Sequence, residues 1–109
     1  MSVFSIASGA ETADGTQETL ATETDPGVYV LVVDTANLIN GEAMTIRIKT
    51  KDKSGGTSRL AYQATYAHAQ TEPHKYSIPI PVDTEIVCTL EQTAYVTAYK
   101  VFDWNLLKM

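Results

Sequence analysis

Two histidines and a carboxylate fall within seven residues, in His68-Ala69-Gln70-Thr71-Glu72-Pro73-His74. Imidazole and carboxylate ligands suit zinc. This spacing matches no established metal motif, and a third protein ligand would have to come from elsewhere. The plainer reading is a loop bent at Pro73 whose histidines cap or pack. The single cysteine, Cys88, is the other chemical candidate. A Cys–His pair would need it exposed beside His68 or His74. Its setting, Ile86-Val87-Cys88-Thr89-Leu90, reads instead as a strand, where a lone cysteine serves as a small buried hydrophobe. The chain has no glycine-rich phosphate loop, Gly-x-Ser-x-Gly elbow or His-Glu-x-x-His motif. Asp14-Gly15-Thr16 and Asp25-Pro26-Gly27 are turn residues, without the spacing of a calcium loop. The expectation is a non-enzymatic protein with no catalytic, cofactor-binding or metal-ligating residues and no cofactor.

The charge pattern is more informative than the net charge of −5. Residues 1–46 carry seven acids and no Lys or Arg, whereas residues 47–59 carry Arg47, Lys49, Lys51, Lys53 and Arg59 against Asp52 alone. Segregation of this kind bears on surfaces and partners rather than on fold. Arg47, Lys49, Lys51 and Lys53 share one strand parity, and they form the candidate docking stripe for an acidic protein partner. The competing use of such residues is to protect an exposed strand edge. Nucleic acid is disfavoured, because the pI is near 4.8 and no aromatic residue interleaves the stripe. A second group, Tyr95, Tyr99, Phe102 and Trp104, is aromatic. Such residues on a sandwich bind sugars or mark protein interfaces, and Trp104 is expected to fill the core or a subunit seam.

The elements that must position these residues are strands. Fifteen threonines and six tyrosines suit a pleated, half-buried surface, and no stretch carries a capped 3.6-residue apolar period. Residues 1–15 read as a short first strand or docking arm followed by a loop, and 16–22 as an exposed strand around Leu20. Asp25-Pro26-Gly27 is a turn by its Pro and Gly. Residues 27–34 are apolar at both parities, so both faces should be covered; Val28, Val30 and Val32 are expected in the core. Met44, Ile46 and Ile48 should face inward from an alternating strand. The glycines of Ser54-Gly55-Gly56-Thr57 predict a hairpin turn, with a return strand whose inward face is Leu60, Tyr62, Ala64 and Tyr66. Pro79 and Pro81 demote 76–81 to an edge strand, with Ile78 inward. Residues 85–92 bury Ile86, Cys88 and Leu90, and a last strand is expected from about Tyr95 to Leu107.

Together these predict an all-β fold: an antiparallel β-sandwich, jelly-roll or Ig-like, of roughly seven or eight strands. With 109 residues the chain is one domain, 1–109, in which 1–15 is a candidate docking arm. No apolar run reaches the roughly 20 residues that cross a bilayer, and the first ten residues lack the basic start of a signal peptide. Synthesis in a cytoplasm, no disulfide and no membrane partner are the matching expectations.

Several runs point further: Gly55-Gly56-Thr57-Ser58-Arg59-Leu60-Ala61-Tyr62; Tyr66-Ala67-His68-Ala69-Gln70 followed by Glu72-Pro73; Ile78-Pro79-Ile80-Pro81; Thr89-Leu90-Glu91-Gln92-Thr93-Ala94; and the terminal Phe102-x-Trp104. Leu20-Ala21-Thr22 and Val28-Tyr29-Val30-Leu31 add to them. In these the chain resembles a family of small virion structural proteins of tailed bacteriophages, over most of its length and through packing and turn motifs. It departs from that family at Tyr95-Val96-Thr97-Ala98-Tyr99, where a glycine-rich turn is usual, and at Asp103, where Pro precedes the Trp. The resemblance implies a component of the head or head–tail region, foremost a capsid decoration (cement) subunit that stabilises the head. The alternatives are a collar, tail or baseplate component, or a carbohydrate-binding β-sandwich module. The implied partners are other virion proteins, the major capsid protein first, and further copies of the chain, as a trimer by analogy. No nucleic acid is implied, and the place is the virion, after synthesis in the host cytoplasm.

Overall fold

Turn residues and broken alternation divide residues 2–109 into nine strands. The computed structural model describes residues 2–109, and the strands are β1 (Phe4–Thr12), β2 (Glu18–Glu23), β3 (Gly27–Asp34), β4 (Ala43–Thr50), β5 (Arg59–Ala67), β6 (His74–Tyr76), β7 (Ile80–Val82), β8 (Ile86–Ala94) and β9 (Val101–Lys108). Two antiparallel sheets form from them. Sheet A runs β1-β9-β3-β6, with β7 also on β3, and sheet B runs β2-β8-β4-β5.

The pairings have a simple logic. β1 lies on β9, β2 on β8, β3 on β6 and β7, and β4 on β5. The chain is therefore one long hairpin with its tip at the turn between β4 and β5, rolled so that successive arms alternate between the sheets. That strand order is a jelly roll rather than an Ig fold. The turns at 13–17, 35–42, 68–73 and 95–100 gather at one end of the sandwich. Those at 24–26, 51–58 and 83–85 gather at the other.

The core lies between the sheets. It is built from Tyr29, Leu31 and Val33 of β3, Met44, Ile46 and Ile48 of β4, Ile86, Cys88 and Leu90 of β8, and Phe102 and Leu106 of β9, all buried. The inward faces of β4 and β8 are those the alternation predicts. β3 has the opposite parity to the one expected: its odd residues face the core, and Val28, Val30 and Val32 are half-buried on the outer side. Alternation cannot decide this where both parities are apolar. The decision comes from pairing, because Leu31 stands opposite Leu106 and Val33 opposite Trp104. Trp104 is half-buried and packs against the core. The ring lies against β1 at Gly9, where a Cβ would make ordinary contact with the indole nitrogen at 3.4 Å.

Three further expectations change. Leu60 is exposed, because the β4–β5 register shifts by one residue between the Ile48–Tyr62 and Lys49–Leu60 pairs. That bulge at Ala61 turns Leu60 to the outer face. The edge strand expected over 76–81 is broken into β6 and β7, which raises the strand count to nine and leaves Ile78 exposed. At the break Ser77 serves as a substitute ladder. Its N–H donates to Leu31 C=O at 2.8 Å, and its Oγ accepts from Leu31 N–H at 3.0 Å. Finally, residues 95–100 form a loop, and the last strand begins at Val101.

Candidate docking surfaces

The predicted stripe starts on β4. This strand is paired with β8 on one side and β5 on the other, so it is interior to sheet B. Protection of an exposed edge therefore does not account for its basic residues. Its outward side chains form rows across the sheet. Thr45 Oγ1 and Thr65 Oγ1 are 2.8 Å apart. Arg47 donates from Nε to Gln63 Oε1 at 3.1 Å and from Nη1 to Glu91 Oε1 at 2.9 Å. Lys51, just past the strand, has its Nζ 3.8 Å from Glu85 Oε2. Lys53 lies in the turn beyond. The structure thus places Arg47 and Lys49 together on the face of β4, Lys51 at its end and Lys53 at the hairpin tip. Arg47 and Lys51 are neutralised by acids flanking β4. Lys49 and Lys53 make no ion pair among the described residues.

A second surface lies at the end where four turns meet. Its foundation is Glu42, whose carboxylate has no exposed surface. The carboxylate accepts from Ile39 N–H at 3.1 Å and from Val96 N–H at 3.3 Å, and Lys100 Nζ stands 3.3 Å away. Burial alone pushes the Glu42 pKa up. The two amide donors and the ammonium outweigh it and hold the group below the usual carboxylate range. Gln92, also buried, accepts from Lys100 N–H at 2.8 Å and donates to Ala94 C=O at 3.1 Å. Ala13 N–H donates to Lys100 C=O at 3.0 Å. The loop 95–100 is thereby fastened from below and from the side.

What this fastened loop, the 35–42 turn and the start of β9 present to solvent is largely apolar. Ile39, Tyr95, Val96, Tyr99 and Val101 are all exposed, Tyr95 to 53%. The Tyr95 and Tyr99 rings are 4.4 Å apart and inclined at 42°. Gly15, at φ +85°, lies so close under Tyr99 that a Cβ there would meet the hydroxyl at 2.5 Å. Exposed aromatics on a fixed scaffold lose little entropy on binding, which suits the apolar face of a sugar or of a protein. The sequence singles out Tyr95 and Tyr99 but not Glu42, Gln92 or Ile39. One glutamate among the seven acids of the first 46 residues carries no local signal of burial.

The other sequence candidates are kept apart. Phe102 is buried in the core. Cys88 is buried too, and that burial pushes its thiol up to about 12, so it stays protonated. His68 adopts φ +66°, and its Nδ1 accepts from Gly41 N–H at 3.0 Å. His74 Nε2 stands 3.8 Å from Asp34 Oδ2, beside a shallow groove of about 250 Å³ lined by Val32, Asp34, His74, Asp103, Trp104 and Asn105. That lining supplies no hydroxyl, thiol or amine nucleophile. No cluster of three His, Cys, Asp or Glu side chains able to hold a metal occurs among the described residues.

No family model and no curated protein matches the chain. Solved structures do. The VP2 subviral particle of infectious bursal disease virus matches with a TM-score of 0.54 and 13% identity over 97% of this chain and 31% of that one. The Gt strain of the same virus matches with a TM-score of 0.51 and 16% identity, over 97% of this chain and 32% of that one. The chain therefore spans about a third of the length of the structures it matches. At these identities the likeness is one of fold.

Proposed function

We propose that this chain is a non-enzymatic structural subunit of a virion and, more finely, a decoration (cement) subunit on the head of a tailed bacteriophage. In this role it meets the major capsid protein and further copies of itself. One observation carries the reading: a complete jelly roll whose structural likeness is to proteins of viral particles. The rolled, all-antiparallel pairing closes the apolar core between the two sheets. Lys49 on sheet B and Lys53 in the β4–β5 turn are unneutralised charges toward an acidic capsid surface, with Arg47 and Lys51 as the paired part of the same stripe. Salt pairs at such a rim contribute about 0–1 kcal/mol each, so several must act together.

A carbohydrate-binding module is the second reading, favoured by the exposed Tyr95–Tyr99 pair on its fastened loop. Mass spectrometry and cryo-electron microscopy of purified particles separate the two. Ordered density for the chain on the head supports the decoration role. Density on collar, tail or baseplate relocates the structural role. Absence from particles, together with glycan binding abolished by Tyr95→Ala, overturns the virion reading in favour of the module.

A further inference from the structure

The two sheets leave four strand edges, and most carry a device against pairing with another chain. β6 and β7 are three-residue pieces interrupted at 77–79, with Pro79 and Pro81 in or beside them. β2 has six residues, acidic at both ends, and a bulge at Leu20. β1 is bulged at Ile6, and its regular remainder contains Gly9 and Glu11. β5 differs. Its bulge falls near the start, at Ala61, and leaves residues 62–67 regular, with no charge, no Pro and no Gly. Along such a stretch every second residue turns its N–H and C=O to the open side, a template for another strand; here the Ala67 C=O already accepts from Gln70 Nε2 at 2.7 Å, which leaves Gln63 and Thr65 as the open positions.

We propose that β5 is the seam through which two copies of this chain join, antiparallel across a two-fold axis, merging two four-stranded B sheets into one of eight. The seam suits a second copy because it is neutral: self-pairing sets no like charges opposite each other, and Arg59 stays outside the regular stretch. Gln63 accepts from Arg47 through Oε1, and its amide NH2 has no protein partner among the described residues. A register confined to the regular stretch puts the axis near Thr65 and brings Gln63 beside Thr65 and Ala67 of the second copy, where the Thr65 hydroxyl can take that donor. Beside the seam Lys75 of β6 stands 5.3 Å from the centre of the Tyr66 ring and bridges the two sheets, and Leu60 is exposed on the outer face of sheet B. A two-fold joint also consumes the open edge it uses, so it closes rather than grows into a filament. The edge geometry thus points to a pair, where analogy suggested a trimer. The pair goes beyond the virion reading and is read in solution: a monomer would leave that reading standing, and absence from particles would leave the pair standing.

The test is sedimentation equilibrium of the full chain, with single cysteines introduced as Gln63→Cys, Thr65→Cys and Ala67→Cys. Opposed Cα atoms across an antiparallel seam lie within disulfide reach, and buried Cys88 does not compete. The expected result is a dimer that oxidation cross-links at the position nearest the axis, with no link from Ala10→Cys on β1. Gln63→Lys/Thr65→Lys should raise the dissociation constant at least about tenfold, because like charges then face each other. Circular dichroism and melting should show that this variant still folds. A wild-type chain that is monomeric up to about millimolar concentration, where Kd corresponds to only weak binding, overturns the proposal. So does cross-linking at Ala10 as strong as at β5, or a lysine variant that dimerises as tightly as wild type.

Discussion

Glu42 is a buried carboxylate held ionised by two backbone amides and one lysine. Because its folded pKa lies below the unfolded value, its contribution is fully present above about pH 4.3 and is lost as the pH falls through the lowered folded value. Glu42→Gln should therefore cost about 2–3 kcal/mol at neutral pH, and the gap to wild type should narrow in acid. Thermal melts from pH 7 to pH 3 check this; curves that stay parallel would show that the charge does not matter. Loosening of the 95–100 loop should accompany the loss and appear as faster amide exchange at Val96 and Lys100. Cys88 gives a complementary expectation. With its thiol pushed up to about 12 and no access from solvent, a thiol reagent at pH 8 should leave the native protein unmodified and label it fully in denaturant.

At the scale of elements the informative place is the break between β6 and β7. β3 lies between β9 and this interrupted edge, so Leu31 would lose a backbone partner on one side. Ser77 restores it with its own N–H and hydroxyl. Ser77→Ala removes the acceptor from a buried N–H and should cost about 1–3 kcal/mol. Ser77→Thr keeps the hydroxyl and should recover much of that. Urea titration of the three proteins decides the point, and an alanine variant as stable as wild type would mean that water replaces the hydroxyl. Proline explains why the edge is broken, since it cannot donate to a ladder. It does not specify that a serine bridges the gap, which requires β3 alongside.

For the molecule as a whole, charge is the property that the fold redistributes. The sequence offers four basic residues of one parity, and folding places Glu91 and Glu85 beside two of them. On the proposed decoration role, Lys49→Glu/Lys53→Glu should reduce occupancy on particles depleted of the chain more than Lys51→Glu does. The difference should fade as the Debye length falls from about 10 Å at 0.1 M salt to about 3 Å at 1 M. Equal occupancy of the double reversal and wild type at low salt would reduce the stripe to solvated surface.

Much of this architecture is legible in the residues themselves. Alternation fixes the inward faces of β4 and β8, Asp25-Pro26-Gly27 and Gly55-Gly56 fix two turns, and paired prolines mark the edge at β6 and β7. These are local properties, set by a period of two and by the φ angles that Pro and Gly allow. What the residues leave open is non-local. The parity of β3 depends on which face β9 offers it, because Val28, Val30 and Val32 are as apolar as Leu31 and Val33. The exposure of Leu60 depends on a one-residue slip against β4, and the choice of a jelly roll over an Ig fold depends on which distant strands pair. The candidate site divides in the same way. Arg47, Lys49, Lys51, Lys53, Tyr95 and Tyr99 stand out by type and spacing. Burial of Glu42 and Gln92 beneath the aromatic loop arises only when turns more than fifty residues apart in the chain are brought to one end of the sandwich, and no local pattern records that meeting.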